Sequence, residues 1–188
     1  MANFSEFSIA DVVVNPKGAK IAALSASNEP VTLTLGSREW PIRAPFTPSV
    51  FDGSESARVN FDLRLDGAAQ DWLSQLDAWA VQYIHKNSER LLKKQLSVEQ
   101  VKEFYKPTVT LRGSYPATTR TKLNLEGRRV CRYWSPDNKP REAPSDWTNC
   151  EYVAQVCISH LWVMNRDFGF VLQLTDLMVI EPRIDCPF

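Results

Sequence analysis

The hydrophobic period of this chain changes within a few residues, and that change limits the folds open to it. From Arg58 to Leu65 apolar residues alternate, with Val59, Phe61, Leu63 and Leu65 on one face, the pattern of a half-buried strand. The period then becomes helical: Trp72, Leu73, Leu76, Trp79, Ala80, Tyr83 and Ile84 form one apolar stripe. A second helix is expected to open at Ser97. Gln100 stands in the capping-box position, and Val101, Phe104 and Tyr105 supply a buried face that Pro107 ends.

Strand patterning flanks this helical stretch on both sides. Phe7 to Val14, Ile21 to Leu24 and Val31 to Leu35 are short apolar or alternating runs, cut by Asn15-Pro16-Lys17-Gly18, Asn28-Glu29-Pro30 and Gly36-Ser37. Trp40 to Phe46 carries two prolines, which suit an edge segment or an ordered loop. Beyond Pro107, strands are expected at Thr108 to Arg112, Thr119 to Leu125 and Arg129 to Trp134. A proline-rich loop follows, Ser135 to Asp146, and then a long hairpin, Tyr152 to Val163 and Phe168 to Ile180, turning at Asn165-Arg166-Asp167. The expected fold is mainly β, an antiparallel barrel or sandwich with a helical insertion at about residues 67–106. At 188 residues and 44% hydrophobic content the chain suits one domain over residues 1–180 with a short tail, residues 181–188. No run of apolar residues is long enough for a membrane helix, and the first residues lack the basic and apolar regions of a secretory signal.

Catalytic signatures are missing. The sequence holds no phosphate-binding glycine loop, no dinucleotide fingerprint and no nucleophile elbow. Asp62 with Asp66, and Asp176 with Glu181, read as solvated strand positions rather than acid–base pairs. His160 shares the parity of Val156, Ile158 and Trp162, the reading of a satisfied core or edge histidine. Cys157 lacks a base in the sequence around it. Cys131, Cys150, Cys157 and Cys186 match no zinc spacing and read as reduced thiols in an intracellular setting. No enzyme, metal or cofactor is expected.

Charge carries more information. The chain holds 22 Lys and Arg against 22 Asp and Glu, yet the segment from Lys106 to Trp147 has nine basic residues and only four acidic ones, a local charge of +5. Aromatics are interleaved with that charge, as in Tyr105-Lys106, Arg112 with Tyr115, and Arg132-Tyr133-Trp134. A single nucleic-acid strand needs cations that track phosphates and flat rings on which bases stack. The candidate contacts are therefore Arg112, Arg120, Lys122, Arg128, Arg129 and Arg132, with Tyr115, Tyr133 and Trp134 for stacking. Adjacent strand residues face opposite ways, so one of Tyr133 and Trp134 is expected in the core. Trp72 and Trp79 belong to the packed face of the insertion.

Two stretches carry a family resemblance. Tyr105-Lys-Pro107 leads to Tyr115-Pro-Ala-Thr-Thr-Arg-Thr-Lys-Leu-Asn-Leu125, and later comes Leu161-Trp-Val-Met-Asn-Arg-Asp-Phe-Gly-Phe170-Val-Leu-Gln-Leu174. Over about residues 58–180 the set resembles single-stranded DNA-binding proteins of phages and large DNA viruses. The resemblance implies an OB-fold, a small Greek-key barrel, with Arg120 and Lys122 facing phosphates and Tyr115 or Trp134 stacking. The terminus, Glu181-Pro-Arg-Ile-Asp185-Cys-Pro-Phe188, resembles the tip of bacterial single-stranded DNA-binding proteins in Asp185, Pro187 and Phe188. It departs from that tip at Arg183, and no acidic run precedes it. It implies a partner-docking tail that recruits replication or recombination proteins. The expectation is sequence-independent protection of single-stranded DNA during replication, recombination or repair of a phage or viral genome; RNA and a homo-oligomer stay open. The competing expectation is a β-sandwich assembly protein of a virion or scaffold, which would bind without the salt dependence that phosphate contacts impose.

Overall fold

The computed structural model of the protein describes residues 4–16, 18, 20–50 and 57–181. After a single 3-10 turn, Phe4–Glu6, the first strands are β1 (Phe7–Ile9), β2 (Val13–Val14), β3 (Lys20–Ala22), β4 (Leu24–Ala26), β5 (Glu29–Leu35), β6 (Ile42–Arg43) and β7 (Arg58–Arg64). Helices α1 (Gly67–Leu92) and α2 (Val98–Phe104) follow. The chain then returns to strands β8 (Tyr105–Lys106), β9 (Val109–Arg112), β10 (Tyr115–Asn124), β11 (Arg132–Trp134), β12 (Pro140–Arg141), β13 (Glu151–Met164) and β14 (Asp167–Ile180).

The architecture is mainly β, a curled sheet built on the β13–β14 hairpin. These two strands pair antiparallel from Glu151↔Ile180 to Met164↔Asp167. The free edge of β13 is served in turn by β6, β5 and β3. The free edge of β14 is served by β8, β10 and β11, all parallel to it. Strand β10 continues the sheet to β7. Ser49 forms a bridge with Asn60 of β7 while Ile42 and Arg43 lie on β13, so residues 42–49 span the two margins of the curl. Phe61, Leu63, Leu123, Tyr152, Ile158, Phe168 and Leu174 fill its interior.

Local chemistry explains the insertion. Asp66 caps α1, its Oδ1 accepting from the Ala69 N–H at 2.7 Å, and Lys93 ends it in the left-handed region at φ 59°. Ser97 and Gln100 form the expected capping box of α2. Helix α2 stops at Phe104 rather than running to Pro107, because the residue before a proline is pushed to extended geometry; Tyr105 and Lys106 join the sheet instead. Trp72 is buried, and Trp79 packs edge-on against Phe7 of β1 at 5.7 Å. The carboxylate of Asp77 in α1 accepts bonds from the Tyr105 hydroxyl (2.7 Å), the Thr108 N–H (2.9 Å) and the Thr108 hydroxyl (3.1 Å), tying the helix to the start of the second strand series.

Several expectations need correction. The sheet is not wholly antiparallel. β10 and β11 run parallel to β14 because β13 and its turn lie between them in the chain and reverse its direction. The run from Phe7 to Val14 is broken at Ala10-Asp11-Val12 into two short strands. The proline-rich loop contains β12, paired with β11. The expected tail residues Asp185, Pro187 and Phe188, and Cys186, lie outside the described residues. Cys131, Cys150 and Cys157 are free thiols.

Candidate nucleic-acid interface

Alternation sorts β7 and β10 into two faces. Val59, Phe61 and Leu63 of β7, and Thr119, Thr121 and Leu123 of β10, point inward and are buried. Asn60, Asp62 and Arg64 point outward beside Thr118, Arg120 and Lys122, register neighbours across the pair. The buried threonines are satisfied: Thr119 Oγ1 donates to the Thr108 carbonyl and Thr121 Oγ1 to that of Phe61, both at 2.8 Å. The outer face carries the charge.

Three adjoining hollows mark that face. The first, about 500 Å³, is lined by Phe46, Asp62, Arg64, Arg112, Tyr115 and Pro116, among others. The second, about 390 Å³, shares Arg112 and adds Lys106, Arg120, Lys122 and Trp162. The third, about 680 Å³, is lined by Arg128, Arg129, Arg132, Cys157, Ser159 and Gln173. Gln173 is the register partner of Lys122, so the second and third hollows meet along one cross-strand row: Asn60, Lys122, Gln173, Cys157, Thr32. Among the described residues, eight Lys and Arg side chains line the series against one carboxylate, Asp62.

The electrostatics reflect this crowding of like charge. Burial lowers the pKa of the Lys122 ammonium, and the nearby guanidinium groups of Arg58 and Arg120 lower it further. Burial, then Arg58 and Arg129, likewise pull His160 below the usual imidazole range. Arg58 donates to Gln173 Oε1 at 3.2 Å, while Gln173 Nε2 donates to the Lys122 carbonyl at 2.8 Å. Carboxylates hold some of the cations in place: Arg120 on Asp62 and Arg132 on Asp176, both at 2.8 Å, and Lys106 on Asp167 at 3.3 Å. The cationic partners are half-exposed or more, so these pairs are solvent-screened and leave the cations open to a further anion.

Trp162 owes its place to an irregularity in β13. The register shifts between Ile158 and His160, and this reverses the faces beyond it. Leu161 and Val163 therefore fill the core, and His160 and Trp162 take the outer face, opposite to the parity they share with Val156 and Ile158 in the sequence. Gly169, the register partner of Trp162, lets the Lys106 backbone of β8 come close beside the ring. A Cβ there would stand 2.7 Å from the Lys106 carbonyl oxygen and 3.4 Å from Trp162 Nε1. His160 is satisfied by a hydrogen bond shared between its Nδ1 and Ser159 Oγ at 2.8 Å.

The structure brings Arg112, Arg120 and Lys122 together in one hollow, sets Tyr115, 77% exposed, in the adjoining first hollow, and gathers Arg128, Arg129 and Arg132 in the third. Tyr133 and Trp134 take opposite faces, as alternation requires. Tyr133 packs partly buried against the core, its ring 6.0 Å from Trp147, and burial raises its pKa to about 12. Trp134 is half-buried; its indole N–H donates to Asp176 Oδ1 at 2.9 Å, and the Arg132 guanidinium lies 5.9 Å from the ring centre. The candidates drawn from the sequence did not include Phe46, Arg58, Arg64, Lys106 and Trp162, which share this face. Arg58 and Arg64 were readable from the alternation of β7, since they lie opposite Val59 and Phe61.

The carboxylates singled out in the sequence all have structural employment. Asp62 and Asp176 hold arginines, Asp66 caps α1, and Glu181 accepts from Arg141 at 2.6 Å. Burial raises the Cys157 thiol pKa, away from a reactive thiolate. Among the described residues no group of three His, Cys, Asp or Glu side chains is placed to hold a metal, and no helix is long and apolar enough to cross a membrane.

No protein-family model matches the chain, and no curated protein matches it significantly. Solved structures do. The C-terminally truncated single-stranded DNA-binding protein of bacteriophage Enc34 aligns at a TM-score of 0.47 and 9% identity, covering 96% of this chain and 94% of that one. The Enc34 protein in complex with single-stranded DNA aligns at 0.47 and 8% identity, covering 96% and 95%. The single-stranded DNA-binding protein gp2.5 of bacteriophage T7 aligns at 0.48 and 12% identity, covering 85% and 91%.

Proposed function

We propose that this protein binds single-stranded DNA across the outer face of its curled sheet, with an OB-fold-like domain holding the strand and no catalytic step. The observation that supports this most directly is the series of three adjoining hollows lined by eight Lys and Arg side chains. Phosphates are tracked by Arg112, Arg120 and Lys122 in the middle, and by Arg128, Arg129 and Arg132 at one end. Tyr115 and Trp162 offer ring faces to bases, a contact worth about 1–3 kcal/mol each and tolerant of sequence. The grip on phosphates is indifferent to base sequence, which suits protection of single strands during phage or viral replication, recombination or repair. RNA shares the backbone chemistry and is the natural competitor to test.

The deciding experiment is a fluorescence-anisotropy titration into a labelled ~30-nucleotide dT strand at two salt concentrations, with a duplex of equal length beside it. Binding that weakens with salt and strongly prefers the single strand supports the reading. No binding at low salt refutes it and turns attention to an assembly role. Asp185, Pro187 and Phe188 are proposed to recruit a replication partner; deleting Asp185 to Phe188 then abolishes a pull-down while DNA affinity stays equal or rises. An unchanged pull-down removes that role.

A further inference from the structure

The first hollow differs in chemistry from the other two. Its walls are mostly apolar, formed by Phe46, Pro45, Pro116 and Tyr115, and two of its rings stand out in solvent, Phe46 at 59% exposure and Tyr115 at 77%. Its volume of about 500 Å³ is within the usual range of small-ligand pockets, about 300–1,000 Å³. Arg64 and Arg112 are among its lining residues and supply the cations a phosphate needs. Among the described lining residues the one carboxylate is Asp62, whose side chain is only 16% exposed and which is held by Arg120 Nε at 2.8 Å and Nη2 at 3.0 Å.

We infer that this hollow is a nucleobase pocket that favours a base carrying an exocyclic amine. This rests on the single-strand reading above and adds a local selectivity to it. The Asp62 carboxylate is an acceptor only, and after its two bonds to Arg120 each oxygen keeps a free lone pair. Cytosine N4–H2 can donate to it directly. Thymine carries a carbonyl at that position, and its N3–H is flanked by two carbonyl oxygens that repel a carboxylate. Arg120 holds Asp62 in a fixed bidentate geometry, so the acceptor does not swing away from an incoming base.

The test compares ~15-nucleotide dC and dT strands, long enough for one site, by anisotropy at neutral pH with the full-length chain. One hydrogen bond of this kind predicts that dC binds about 2- to 10-fold more tightly than dT. Asp62→Ala frees Arg120 and raises affinity for both strands, but brings their ratio to about one. Phe46→Ala, at an exposed ring whose loss leaves the core intact, shrinks the same ratio. Equal binding of dC and dT by the unaltered protein, or a preference that survives Asp62→Ala, overturns the pocket while leaving strand binding in place. Failure of both strands to bind overturns the single-strand reading itself.

Discussion

Replacing Arg120 and Lys122 together by Ala probes the centre of the track. Both side chains project from alternate positions of β10 into one hollow, so under the proposed function the double change removes two adjacent phosphate contacts without touching Thr119 or Thr121 beneath them. Each contact to a single strand contributes about 0.7 to the slope of log K against log salt, so the double variant lowers the slope by about 1.4. At physiological ionic strength of about 0.15 M that amounts to roughly a tenfold loss of affinity. Loss of Arg120 also leaves Asp62 unpaired and facing the strand, which adds to the effect. Stability changes little by comparison: the Arg120 side chain is 53% exposed, and such a pair is worth about 0.2–1 kcal/mol, which for a chain of this size shifts Tm by up to about 4 °C. The measurements are anisotropy titrations at several salt concentrations and a thermal melt. An unchanged slope together with a native-like melt refutes the placement of the strand on this face; a collapsed melt assigns the pair to the fold.

Trp162→Ala weakens binding of all single strands alike by about 1–3 kcal/mol in titration, and Trp162→Phe recovers most of it, if the ring over Gly169 stacks on bases; unaltered affinity removes it from the site. His160 is held below the usual imidazole range by burial and by Arg58 and Arg129, and an arriving phosphate opposes that effect. Binding therefore takes up a proton, and affinity rises as pH falls from 8 through 6 in the native protein but stays flatter in His160→Gln. For folding the sign is opposite: a lowered imidazole pKa means the unfolded chain binds the proton better, so stability from this group is present above about pH 6.5 and is lost as pH falls. Asp77→Ala leaves the Tyr105 hydroxyl and the Thr108 N–H without their shared acceptor and lowers stability by about 2–4 kcal/mol in denaturant unfolding; a loss below about 0.5 kcal/mol refutes its role as the tie between α1 and the sheet.

How much of the candidate site's placement was legible depended on whether local patterning survived folding. Arg120 and Lys122 were readable because β10 alternates without interruption from Thr118 to Asn124. Arg128 and Arg129 were readable as charge, though not as part of the hollow they share with Gln173. Trp162 was not legible. Its face depends on a register shift at Ile158–His160 that costs one residue of parity and leaves no mark in composition. Tyr133 and Trp134 were separable only in principle: alternation says one of them turns inward, and the packing of Trp147 against Phe61 and Tyr133 decides which.

By itself the chain's order of residues determined the local elements: the stripe from Trp72 to Ile84, the Ser97 cap, the long final hairpin and the concentration of cations after Lys106. These follow from period, capping chemistry and charge, interactions that span a few residues and are written along the chain. The tertiary structure decided which edges pair. It laid β8, β10 and β11 in succession along one edge of β14, and so brought Lys106, Lys122 and Arg132 onto one surface although they are spread over the chain. Such neighbours are made by hydrogen bonds between strands far apart in sequence and by the volume of the core beneath them, and no window of residues contains that information.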